Sequence, residues 1–114
     1  MHDYHRLRAW KKAREIAVDV YQLVETMPSR EQFGLASQMR RCAVSIASNI
    51  AEGAARGTTA DFRRYLRVAA GSASELETQL LIAIDVGALG SEAAGPVLDA
   101  VDHVRRMLMN LERT

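Results

Sequence analysis

Apolar residues recur along this chain at alternating steps of three and four, in four separate stretches. That spacing places them on one face of a helix. The stretch around Arg40–Gly53, RRCAVSIASNIAEG, is the most distinctive, with a seam of Ala36, Met39, Ala43, Ile46 and Ile50. A following stretch repeats the pattern at Phe62, Leu66, Ala69, Ala73, Leu76, Leu80 and Ala83. Near the start of the chain the seam is Ala13, Ala17, Val20, Val24 and Met27, flanked by Trp10 and Ile16 and broadened by Leu23. At the other end it is Val97, Val101, Val104, Leu108 and Leu111.

Turn residues separate these four stretches. Pro28–Gln32 turns the chain, and Ser29-x-x-Gln32 has the form of a capping box for a second helix reaching about Arg56. Gly57 suits a left-handed helix end, and Thr58 or Thr59 suits the cap of a third helix running to about Val86. Gly87 and Gly90 end that helix, and Ser91 is placed to cap the fourth. Pro28 and Pro96 both fit helix starts. The first helix is expected from Tyr4 or Leu7 to Met27. Short links make consecutive helices antiparallel. The predicted architecture is all-α, an up-and-down antiparallel four-helix bundle forming one domain over residues 1–114.

A small polar stripe borders the second seam: Cys42, Ser45, Asn49, Glu52 and Arg56. Polar groups at a core edge cost about 1–3 kcal/mol each unless bonded, so the third helix is expected to offer partners such as Ser72 and Glu75. A turn centred on Gly57–Thr58 sets Arg40 and Arg41 level with Glu75 and Ser74, and Glu52 level with Arg63. A contact of Glu75 with Arg40 or Arg41 is expected, within the hairpin or across a subunit boundary. The expected structural network is Arg40, Arg41, Ser45, Asn49, Glu52, Ser72 and Glu75.

These residues also carry a resemblance. SQxRRxAxSIxSNIAEG, followed by GSxSELETQ, resembles the four-helix-bundle family of 23S rRNA intervening-sequence proteins. That family is related to the accessory variability protein of diversity-generating retroelements. The likeness extends to Leu7-x-x-Trp10, Pro28 and Phe33-Gly34-Leu35; the fourth helix matches only in pattern. The family often carries Pro where this chain has Ala47. The resemblance implies a cytosolic up-and-down bundle that assembles as a homopentamer, has no established enzymatic activity, and belongs to a group whose theme is nucleic-acid binding.

Composition narrows the rest. Hydrophobic residues make up 48% of the 114 residues and aromatics only 5%, which suits close-packed helices better than a sheet. Cys42 is the single cysteine, expected as a small buried hydrophobe rather than a reactive thiol. The start of the chain lacks the apolar core of a signal peptide. No apolar run is long enough to span a membrane. A cytoplasmic protein without membrane contact is therefore expected.

Net charge is +1, but unevenly spread. Residues 1–67 hold 12 Lys or Arg against 7 acids, and residues 68–114 hold 3 against 7. Such asymmetry fits a polyanion-binding face and equally fits complementary faces between subunits.

No catalytic constellation emerges. A di-iron site needs Glu-x-x-His pairs on two helices, and neither Glu75 nor Glu77 is followed by a suitably spaced His. His103 stands alone on its helix, and His2-x-x-His5 is either inert or an adventitious metal site. The serines lack a nearby His base. Glu52 and Glu75 read as an acid–base pair or, with arginines level, as structural ion pairs. No cofactor or metal is expected. Trp10, amid charges, reads either as core or as a base-stacking residue.

The remaining candidate is phosphate binding by Arg56, Arg63, Arg64 and Arg67 at the start of the third helix, helped by Lys11 and Lys12. Two functions stay open. One is a non-enzymatic homo-oligomer that binds RNA or DNA through arginines. The other is an adaptor ring that recruits a protein partner without touching nucleic acid. Apolar residues outside the seams, Ile16, Leu23, Val68 and Leu81, are expected to support assembly.

Overall fold

The second and third seams meet as two long antiparallel helices, and the first and fourth close over them. The computed structural model describes residues 3–114. It contains α1 (Arg8–Val24), α2 (Leu35–Ala55), α3 (Thr59–Asp85) and α4 (Ser91–Arg113), with short 3-10 turns at Tyr4–Arg6 and Ser29–Glu31. No strand forms among the described residues. Each helix packs on its two neighbours in a square, with α1–α3 and α2–α4 on the diagonals. The long axis of 43 Å is set by α3, whose 27 residues rise about 40 Å. This is the up-and-down four-helix bundle that the periodicity predicts.

The α2 and α3 seams are buried throughout, from Ala36 to Ile50 and from Phe62 to Ala83. In α4, Val97, Val101, Val104 and Leu108 are buried, with Leu111 half-buried at the end. In α1 the seam is shifted from the expected one. Ile16 and Leu23 lie inside the core, whereas Ala17 is only half-buried. The buried face is wide because α1 must fill the angle between α2 and α4. Ile16 and Leu23 are therefore not assembly residues, whereas Val68 and Leu81 remain about half exposed. Trp10 is half-buried against the core and meets the Tyr4 ring edge-on at 5.2 Å. Its indole face is covered by Arg14 at 5.5 Å. α2 runs unbroken through Ala47.

The helix ends follow glycine and threonine chemistry where φ requires it. Gly57 (φ 88°) and Gly87 (φ 76°) take the left-handed conformation that terminates helices. The Thr58 side chain accepts a hydrogen bond from the Asp61 backbone N–H at 3.1 Å, capping α3.

Three expected features differ. Ser29 opens only a 3-10 turn, and α2 begins after Gly34 without a side-chain cap. Gln32 turns backwards instead, donating to the carbonyls of Val24 (2.9 Å), which also accepts from the Met27 backbone N–H, and Met27 (3.1 Å) at the end of α1. Ser91 is the first residue of α4 rather than its cap. Pro96 lies in the second turn of α4, not at its start. It sits on the exposed face, so water can satisfy the Glu92 carbonyl it leaves unpaired.

Gly53 sets the spacing of α2 and α3. A Cβ there meets the Tyr65 Cβ at 2.6 Å and the Phe62 carbonyl oxygen at 3.3 Å. Neither neighbour is the loose tip of a side chain, so the two backbones can come this close only over a glycine. Gly71 on α3 faces open space. Gly53→Ala is expected to destabilise by about 1–3 kcal/mol through overpacking. Gly71→Ala is expected to stabilise by about 0.5–1 kcal/mol through backbone entropy. Thermal denaturation of the two variants checks this, at roughly 4–8 °C per kcal/mol for a domain of this size.

Candidate nucleic-acid interface

The Gly53 contact brings Tyr65 down onto the α2–α3 turn, where the arginines gather. The Tyr65 ring carries guanidinium groups from Arg56 at 5.2 Å and Arg64 at 4.6 Å. Arg56 Nη2 also donates to the Tyr65 hydroxyl at 2.7 Å, and Arg56 Nε lies 3.2 Å from Glu52. Glu52 thus pairs along its own helix, one turn away, rather than across to Arg63. The Tyr65 hydroxyl and Glu52 both hold Arg56 in its charged form, the tyrosine contributing first.

The four arginines are not four free cations. Arg64 lies 3.6 Å from Asp61, and Arg67 reaches across to α4 to bind Glu112 at 2.6 Å. Arg63 is exposed and makes no ion pair among the described residues. The start of α3 is also partly occupied, because Thr58 caps one amide and Asp61 brings a carboxylate to the first turn. What this end offers a phosphate is Arg63, next to the Arg56 and Arg64 guanidinium groups that lie against the Tyr65 ring. Sequence reasoning missed Tyr65. The signal was an aromatic enclosed by arginines in Arg63–Arg67, RRYLR, one turn from a helix start.

Lys11 and Lys12 do not join this cluster. They line a groove between α1 and α4 with Arg8, Glu15, His103 and Met107. Since α1 and α3 stand on the diagonal, the lysines and the arginines share one end of the bundle but face different sides.

The polar stripe finds partners both across the α2–α3 seam and along α2 itself. Ser45 Oγ and Ser72 Oγ are 2.9 Å apart. Asn49 Nδ2 donates to the Ser45 carbonyl (2.8 Å) and hydroxyl (3.0 Å). Cys42 Sγ lies 3.0 Å from the Ser72 carbonyl.

The expected bond from Glu75 to Arg40 or Arg41 is not made within the chain. Arg40 donates to the Gln32 carbonyl at 3.1 Å, bracing the residue that closes α1, and Arg41 donates to Ser37 at 2.6 Å. Glu75 is exposed and accepts from Gln79 at 3.4 Å. An exposed carboxylate loses little by staying hydrated, so nothing forces the ion pair. Arg41 and Glu75 line one open groove together with Gln38, Cys42, Ser45 and Ser72.

Two further expectations fall on the histidines and the acids. His2 lies outside the described residues. His5 Nδ1 is 3.0 Å from Asp3 and its ring stacks on Tyr4. Glu52 and Glu75 are both exposed, the first paired with Arg56, and they do not form a couple.

Cys42 is buried, and its thiol is pushed up from its ordinary value near 9 to about 12, by burial first and by the Glu75 carboxylate second. The folded chain therefore keeps a proton that the unfolded chain releases above about pH 9. This site contributes stability below that pH and loses it as pH rises toward 12. Native protein at pH 8 is expected to react with a thiol reagent far more slowly than the same protein in denaturant. Equal labelling rates would contradict the burial of Cys42.

Comparison with known proteins extends this description. A crystal structure from Bacteroides thetaiotaomicron VPI-5482, of a protein with unknown function from the S23 ribosomal protein family, shares the fold with a TM-score of 0.86. The two sequences are 24% identical, and the superposition covers 93% of this chain and 99% of that one. No curated protein matches the chain. The model of the 23S rRNA-intervening sequence protein family matches residues 5–110. With a match across nearly its whole length, on the same four helices, the chain belongs to the 23S rRNA-intervening sequence protein family.

Proposed function

We propose that this protein acts without catalysis, as a homo-oligomeric four-helix bundle that binds RNA or DNA through the arginine-bearing end. The observation that carries the reading is Arg63. It is an exposed guanidinium with no acidic partner among the described residues, beside the cluster of Arg56, Tyr65 and Arg64. Arginine planes and an aromatic ring are the groups on which unpaired bases stack, while a free guanidinium takes a phosphate. The family's association with intervening sequences of 23S rRNA supports a nucleic-acid ligand. Binding of this kind is directed to the backbone and carries little sequence preference.

Assembly is supported by apolar surface that one chain leaves uncovered. Val68, Leu81 and Ile82 on α3 and Val86 just after it are about half exposed, as are Val18 and Tyr21 on α1. Phe33, before α2, is 98% exposed. Apolar surface on this scale favours association, and the family resemblance implies a ring of five. The same surface is what an adaptor ring would use to hold a protein partner, which keeps that reading as the alternative.

The test is the dependence of affinity on salt. Each phosphate contact contributes a slope of about −0.7 for single strands or −0.9 for duplex in log affinity against log salt. The parent is expected to bind RNA at low salt with a steep negative slope. Arg63→Glu/Arg64→Glu is expected to flatten it, with Arg67 left in place because it braces α4. Light scattering on both proteins is expected to give an oligomer mass. No binding at low salt from an intact oligomer would favour the adaptor.

A further inference from the structure

The groove between α1 and α4 breaks two rules of helix electrostatics at once. Arg8, Lys11, Lys12 and Glu15 are spaced by three and four residues, so they share one face of α1. Arg8 and Lys11 fall in the first turn, which holds no acidic residue. Cations there oppose the helix dipole, and like charges three or four residues apart repel. Arg8, Lys11 and Lys12 make no ion pair among the described residues. Glu15 is the single acid among the described residues that line the groove. Asp102, beside His103 on α4, is already engaged by Arg105 at 2.6 Å and Arg106 at 3.2 Å. Three mutually repelling cations therefore face one open volume of about 280 Å³. His103 and the half-buried Met107 form its α4 wall.

Local charge choices that weaken the fold without an internal compensation mark functional surface. Glu15, one acid facing three cations, offsets them only in part, so the chemistry that completes the compensation is anionic. At the α2–α3 turn, by contrast, three of the four arginines already have acidic partners. The geometry points to a second phosphate-binding site in this groove, built by Arg8, Lys11, Lys12 and His103, that holds the backbone of a single-stranded nucleic acid. This inference rests on the nucleic-acid reading above. Successive cations follow one face of the helix, so they meet successive phosphates. The Met107 side chain supplies an apolar wall against which a base can lie. Because α1 and α3 are diagonal, one end of the bundle then presents two cationic faces, each able to take its own strand.

The chain's lysines are Lys11 and Lys12 alone, so lysine acetylation read by mass spectrometry reports on this groove with almost no background. The probe is an oligouridylate at low salt, with the parent and with Arg63→Glu/Arg64→Glu. Both proteins are expected to show Lys11 and Lys12 protected severalfold when the strand is bound. Lys11→Glu/Lys12→Glu, with its helicity checked, is expected to flatten the salt slope by about 1.4, two contacts at about 0.7 each. Unchanged acetylation while the strand is bound would overturn the groove and leave the arginine site standing. Protection that vanishes in the arginine variant would equally overturn a second site. Failure of the parent to bind the strand at all would overturn both readings together.

Discussion

The structure depends on the closeness of α2 and α3 at Gly53. Two helix backbones can approach until the Tyr65 Cβ occupies the place of the missing Gly53 side chain. This proximity sets the level of everything between them. It lets Ser45 meet Ser72 across the seam and seats Cys42 over the Ser72 carbonyl. It also fixes where Tyr65 emerges, and so where Arg56 and Arg64 find an aromatic surface to lie on. Packing and the candidate interface meet at this one close approach. α1 and α4 complete the core, and Arg67 with Glu112 ties α4 to the same end.

The electrostatics of that end divide into two kinds. At the α2–α3 turn the charges are mostly satisfied internally: Glu52, Asp61 and Glu112 each hold one arginine. Such exposed pairs contribute little to stability and are screened by salt. They are weak enough to be exchanged for a phosphate, but they reduce what a ligand gains. In the α1–α4 groove Arg8, Lys11 and Lys12 make no ion pair among the described residues, and Arg8 and Lys11 lie at the wrong end of a helix dipole. A polyanion gains more there, because it removes repulsion as well as adding attraction. The charge asymmetry of the sequence therefore resolves into two separate surfaces.

The fold was legible in the sequence because each of its determinants is local. A period of 3.6 residues, a glycine at positive φ and a threonine cap need only a few neighbouring residues to be recognised. The seams of α2 and α3 could be read residue by residue for this reason. What could not be read depends on where side chains go after the helices have packed. Gln32 looked like the end of a capping box for α2, yet its amide closes α1, because the carbonyls of Val24 and Met27 lie within reach. Glu75 stood level with Arg40 and Arg41, but level is not contact, and each arginine had a nearer acceptor. Lys11 and Lys12 counted toward one basic patch in the sequence, while the square arrangement of the helices turns them toward α4. Tyr65 was hidden because its placement depends on a glycine twelve residues away.

The central claim is that Gly53 matters because the Tyr65 Cβ fills its space. A double-mutant cycle of Gly53→Ala with Tyr65→Gly, measured by denaturant unfolding, tests it most directly. Tyr65→Gly removes the atom that an alanine at 53 would strike, and the cycle cancels the cost of a glycine within a helix. The double variant is expected to be more stable than the sum of the two single losses, by about 0.5–3 kcal/mol. Losses that add to within about 0.5 kcal/mol would contradict it.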